Sequence, residues 1–170
     1  KSKIKIRKNV TQINFKYGKI NEKKLLKNKT FLKSDIFLVF GSSIIRGALL
    51  NFLLKKKALN IHMGVLPFYR GTDCNFWAIH DKKYKNVGAS LILLSKKIDD
   101  GKIIKIFLGK LNKNKFLFTM QACKKAIDST VAFLKKQKKP FKTRKIDKKK
   151  LIRLSKFTDL NYKSIKNFYK

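Results

Sequence analysis

Asn60 and His62 stand two residues apart, and an Asp99-Asp100-Gly101 turn signal follows downstream. On a strand, residues i and i+2 leave the same face, so this amide and imidazole point together. An amide N–H and an imidazolium both stabilise an oxyanion, an effect of about 3–4 kcal/mol per donor. A carboxylate beside the imidazole raises its pKa and can relay a proton, and Asp99 is the candidate. Together the three suit nucleophilic attack on a carbonyl carbon. Each also has an ordinary role: Asn at a strand end and Asp before Gly are common turn residues. His80, without a partner motif, reads as a packing or surface residue.

The elements that must carry these groups read as a strand–helix–strand unit. Asp35 to Gly41 is almost wholly apolar and predicts a strand covered on both faces. Ser42 and Ser43 are placed to cap a helix from about Ile44 to Lys57, whose basic last turn suits the helix dipole. Ala58 to Met63 is the next strand, so the unit implies a parallel pair with a right-handed crossover. Asn60 and His62 then fall near a strand's C-terminal end, where open α/β sheets bind ligands.

A loop from Gly64 to Gly71 leads to a short helix through Trp77 and His80, capped by Asp73. Val87 to Ser95 and Ile103 to Leu108 are strands flanking the Asp99 turn, and 118 to 137 is an amphipathic helix. Lys3 to Ile6 and Ile13 to Tyr17 alternate weakly and read as short edge strands. Marginal helices are expected near 147 to 155 and 161 to 168. The fold expected is α/β, an open, mostly parallel sheet with flanking helices. Residues 1–138 form the domain, and 139–170 a Lys-rich tail.

The 170 residues suffice for one domain with a real core, and a 44% hydrophobic content excludes a disordered chain. The net charge of +35 predicts salt-dependent attraction to any polyanion. Only five of the 44 basic residues are arginine, however, and specific nucleic-acid readout leans on Arg forks. Between Ser34 and Asp81 the only lysines are Lys55, Lys56 and Lys57, so the charge avoids the motif. Cys74 and Cys123 lack a CxxC partner, and neither a metal site nor a disulfide framework is expected. No signal peptide is seen, and the most apolar stretch, residues 36 to 54, is broken by Ser42, Ser43, Arg46, Gly47 and Asn51. A cytoplasmic protein without membrane contact is the expectation.

The order Gly41, Asn60, His62, Gly64, Pro67, Arg70-Gly71, Trp77-Ala78, Gly88, Asp99, Gly101 resembles the core of the folate-dependent formyltransferases. The resemblance runs from about Asp35 to Leu108. It implies a Rossmann-like formyltransferase domain that moves a formyl group from 10-formyltetrahydrofolate to a primary amine. It also implies that Asn60, His62 and Asp99 are the catalytic trio. The folate pocket would be lined by Gly64, Val65, Leu66 and Pro67, and by the loop Ser42, Ser43, Ile44, Ile45 and Arg46. Only 34 residues precede Asp35, so the sheet is expected to lack its first strands. Tyr69-Arg70-Gly71 resembles the amino-sugar and tRNA branches more than the purine one, and the short tail resembles the branch that acts on amino-sugar nucleotides. A methionyl-tRNA acceptor, which the charge keeps open, a hydrolytic variant, a basic nucleic-acid-binding module and an inactive truncated relative stay open as alternatives.

Overall fold

In the computed structural model, which describes residues 9–136 and 140–169, the apolar run after Asp35 becomes the edge of a sheet. Strand β1 (Leu38–Phe40) pairs in parallel with β2 (Leu59–His62). Helix α2 (Gly47–Lys55) crosses between them, after the short helix α1 (Lys29–Leu32). Strand β3 (Tyr69–Gly71) and helix α3 (Cys74–His80) follow, then β4 (Gly88–Leu93) and β5 (Ile103–Leu108). The chain continues through α4 (Lys115–Lys136), β6 (Arg153–Ser155) and α5 (Tyr162–Tyr169). The four-stranded sheet has the order β1-β2-β4-β5, and β3 and β6 form a separate parallel pair.

The main sheet is open and flanked by helices as expected, and its strand directions are mixed. The β1–β2 pair is parallel, whereas β2–β4 and β4–β5 are antiparallel. The nine residues around the Asp99 turn cannot make the crossover of a dozen or more that a parallel connection needs, so β5 returns as a hairpin partner. Gly101 sits where a Cβ would lie 1.7 Å from the Leu93 carbonyl oxygen, which lets the hairpin close tightly.

Apolar layers flank β2 and the β3–α3 segment beside it. Phe37, Leu49, Leu53 and Ala58 pack α2 against the sheet, with Phe31 and Phe52 edge-on or tilted to Phe37 and each other at 5.1–5.7 Å. On the opposite face Leu59, Ile61, Ala89, Leu91 and Phe107 pack with Ala126 of α4. The third layer joins Tyr69, Trp77, Ala78 and Phe118 to Phe168 of α5.

Several local expectations are corrected. Strand β1 is covered on one side only: Leu38 and Phe40 on one face are exposed, whereas Val39 on the other packs against the α2 layer. Helix α2 starts at Gly47, not Ile44, and Ser42 and Ser43 do not cap it. Gly41 and Gly47 both take left-handed φ angles, 56° and 62°, which interrupt helical geometry. Between them, Asn21 ties the loop extended, its Nδ2 donating to the Ile44 carbonyl at 2.8 Å and its Oδ1 accepting from the Arg46 amide at 2.7 Å. No strand forms at Ile13 to Tyr17, where no partner edge meets the alternation; Lys3 to Ile6 lies outside the described residues. The helix expected near 147 to 155 is a single 3₁₀ turn at Lys148–Lys150 followed by β6, since the open edge of β3 offers ladder partners.

Candidate active site

The β2 strand delivers its two polar residues as the spacing requires, and the β4–β5 turn brings the carboxylate to them. Asn60 Nδ2 donates to Asp99 Oδ1 at 3.4 Å, and His62 Nδ1 lies 3.3 Å from Asp99 Oδ2. Asp99 Oδ2 also accepts from the Gly71 amide at 3.1 Å. Asp99 holds this position with φ 48°, a left-handed conformation that Asp tolerates better than most side chains. The loop beneath it is fastened by Arg70, whose Nη2 donates to the Ile98 carbonyl at 2.6 Å while Nη1 lies 3.3 Å from Asp100.

The second ring nitrogen of His62, Nε2, sits 3.0 Å from the Tyr69 carbonyl oxygen. Both nitrogens therefore face oxygen acceptors, an arrangement that only the doubly protonated imidazolium satisfies. The electrostatics agree. Burial alone would lower the pKa of His62, but hydrogen bonds to Asp99 and Cys74 and the Asp99 charge overcome it and hold it at about 10. Burial would likewise raise Asp99, yet the His62 contact, the Gly71 amide and the Arg70 charge keep it below the usual carboxylate range. The pair is a buried imidazolium–carboxylate, with His62 only 5% exposed.

Asn60, His62 and Asp99 line one side of a cleft of about 1030 Å³, ample for a drug-sized ligand. Its walls come from Phe40 and the 42–45 loop, from Arg70 and Thr72, from residues 94–98, and from Leu154 to Phe157. Much of the rim is apolar and open: Ile44 is 69% exposed, Ile98 60% and Phe157 80%. Lys96, Lys97 and Lys156 lie among these residues. Among the described residues, no group of three or more His, Cys, Asp or Glu could hold a metal ion. No helix among them is long and apolar enough to cross a membrane.

The structure thus gathers the expected trio and places Ser42, Ser43, Ile44 and Ile45 on the cleft. Arg46 is the residue before α2 and does not line it. The segment after His62 runs behind the site. Ser90 Oγ donates to the Gly64 carbonyl and accepts from the Leu66 amide, which draws Val65 and Leu66 into the core, with Pro67 half-buried beyond. Gly64 supports the ring from below: a Cβ there would lie 2.6 Å from both His62 Nε2 and Cys74 Cβ. Sequence reasoning missed the wall from Leu154 to Phe157. Its only signal is a short apolar interruption of the Lys-rich tail.

No family model matches the chain, and no curated protein matches it at the level of sequence. Solved structures do match. A 4-N formyltransferase from Francisella tularensis aligns with a TM-score of 0.61 at 20% identity, over 85% of this chain and 64% of that one. A formyltransferase from Anoxybacillus kamchatkensis, solved with UDP-4,6-dideoxy-4-formamido-L-AltNAc and tetrahydrofolate, aligns with 0.56 at 21% identity, over 78% and 70%. A sugar N-formyltransferase from a Shewanella species aligns with 0.59 at 18% identity, over 81% and 59%. The chain shares the fold of these proteins, and it spans less than two thirds of the length of the first.

Proposed function

We propose that this protein transfers a formyl group from 10-formyltetrahydrofolate to a primary amine, carried on a nucleotide-linked amino sugar. The observation that carries the reading is the Asn60–His62–Asp99 cluster opening onto a cleft of folate size. The exposed Ile44, Ile98 and Phe157 are suited to a flat heteroaromatic ring, and Lys96, Lys97 and Lys156 to phosphates. The fold shared with sugar formyltransferases supports the same class.

The formyl donor supplies an electrophilic carbon and an amine leaving group. Asn60 spends one amide hydrogen on Asp99, which leaves the second to donate to the formyl oxygen as negative charge develops there. The adjacent imidazolium of His62 adds its positive charge to the same region in a buried setting, where such stabilisation is large. Asp99 holds the imidazolium charged and is the nearest base for the proton that the attacking amine must lose, and that proton passes to the folate nitrogen as its bond to the formyl carbon breaks. Arg70 and Gly71 keep that carboxylate from swinging away.

The test is tetrahydrofolate release from 10-formyltetrahydrofolate by the purified chain, with and without pooled amino-sugar nucleotides or charged initiator tRNA. Release that depends on an amino-sugar nucleotide is the expected result. Release dependent on tRNA, or release without any acceptor, would replace it with the tRNA or hydrolase reading. Absence of both release and folate binding would refute it.

A further inference from the structure

Strand β3 provides both main-chain partners of the buried pair: the Tyr69 carbonyl for His62 and the Gly71 amide for Asp99. Three residues of strand cannot hold such a position unaided. What fixes β3 is a segment more than 80 residues away. Tyr69, Arg70 and Gly71 lie opposite Arg153, Leu154 and Ser155 in the parallel β6. The Phe68 carbonyl accepts from the Ile152 and Arg153 amides at 2.8 and 3.1 Å. Ser155 Oγ donates to the Arg70 carbonyl at 3.1 Å and also bonds the Thr72 carbonyl. A Cβ at Gly71 would lie 1.9 Å from the Ser155 carbonyl oxygen, so the two strands are in close contact at that point.

The side chains make the same link on the far side of β3. Arg153 grips Asp81 with Nε to Oδ2 at 3.1 Å and Nη2 to Oδ1 at 2.8 Å, the bidentate geometry that confers orientation as well as energy. Its guanidinium sits 4.3 Å from the Trp77 ring centroid, which fixes its plane. Asp81 Oδ2 in turn accepts from the Tyr69 hydroxyl at 3.2 Å, and His80 Nδ1 lies 3.1 Å from Oδ1. Tyr69 is fully buried, and its hydroxyl is satisfied by this partner. Burial and the Asp81 charge push that hydroxyl well above the usual tyrosine range, which keeps it a donor.

We infer that Arg153 is a positioning residue for His62, acting through Asp81 and Tyr69 to hold the carbonyl that receives the His62 Nε2–H. None of these three side chains touches the substrate cleft, so the effect is on the imidazole's orientation and not on binding. The inference rests on the formyl-transfer reading for its kinetic consequence alone.

The chain contains only two histidines, so selective ¹⁵N labelling of histidine in the full chain resolves His62, assigned with His62→Asn. The wild type is expected to show a slowly exchanging Nε2–H. Arg153→Met should speed its exchange at least tenfold, and Arg153→Lys, which keeps charge but loses the fork, by a smaller factor. In the transfer assay Arg153→Met should lower kcat about tenfold with KM for the folate within twofold. Tyr69→Phe removes one hydroxyl and should also speed exchange, and the double variant should go no further than the worse single one. Unchanged Nε2–H exchange in Arg153→Met, with a normal denaturation midpoint, overturns the inference. If Arg153→Met does not fold, unchanged exchange in Tyr69→Phe overturns it equally. A wild type that transfers no formyl group would sink the functional reading, while the imidazole measurement still decides this one.

Discussion

Asp99→Asn tests the buried ion pair most directly, because it removes the charge and almost nothing else. Folded His62 sits at about 10 against an ordinary 6.5. Its contribution to stability is therefore complete below pH 6.5 and is lost as pH rises through 10. Asp99 is depressed from its ordinary 3.8, so its contribution is present above that value and is lost as pH falls through the folded one. Between pH 6.5 and 8.5 only the histidine matters, and linkage from 6.5 to about 10 gives a loss of about 2 kcal/mol across that window. In Asp99→Asn the opposing carboxylate is gone, burial favours the neutral ring, and this pH dependence disappears. Urea unfolding of both proteins at pH 6.5, 7.5 and 8.5 measures it. The wild type's advantage should shrink steadily by about 2 kcal/mol. A constant difference between the two proteins at all three pH values would refute the buried imidazolium. The variant should still fold at pH 8.5 and, on the proposed mechanism, lose about 10²–10³ in kcat.

The remaining tests touch other parts of the site. His62→Asn should abolish formyl transfer while leaving the far-UV dichroism unchanged; retained turnover would remove the imidazole from the mechanism. Gly64→Ala brings a methyl to 2.6 Å from His62 Nε2 and Cys74 Cβ, and should cost about 1–3 kcal/mol by overpacking, read from the urea midpoint. Cys74→Ala in the same chain removes only the Sγ, 3.1 Å from that methyl, and leaves the Cβ clash in place, so it should recover little of that loss. Phe157→Ala should leave stability within about 0.5 kcal/mol, as surface changes do. Its KM for folate or nucleotide-sugar should rise severalfold in steady-state kinetics, and an unaltered KM would take Phe157 out of the binding surface.

The parts of the site legible in the sequence are those carried by side chains at a fixed spacing. Asn60 and His62 share a strand face by the two-residue repeat, and Asp99 announces its turn through the glycine that follows. Half of the geometry is main chain, however, and no residue type marks it. The Tyr69 carbonyl and the Gly71 amide matter because of where β3 runs. The sequence predicts a helix starting at Ile44 because Ser42-Ser43 before an apolar run is a strong cap signal. The two flanking glycines and a distant Asn21 outweigh it. Strand β6 is not legible because three residues are too few to show alternation, and the apolar Leu151, Ile152 and Leu154 around it fit a short helix equally well. Its identity comes from the ladder partner it meets, which is a tertiary property.

The pairing of β3 with β6 also bears on the order in which the molecule assembles. Its ladder and serine hydrogen bonds join residues 83 to 85 positions apart, and long-range pairings of this kind form late because loop closure must precede them. On a ribosome, Asn60, His62 and Asp99 all emerge while the strand that steadies β3 is still being made. The sheet can therefore be complete in a nascent chain before β3 is seated. Residues 153–155 then act as the late clamp that fixes the main-chain partners of His62 and Asp99 against a scaffold already formed.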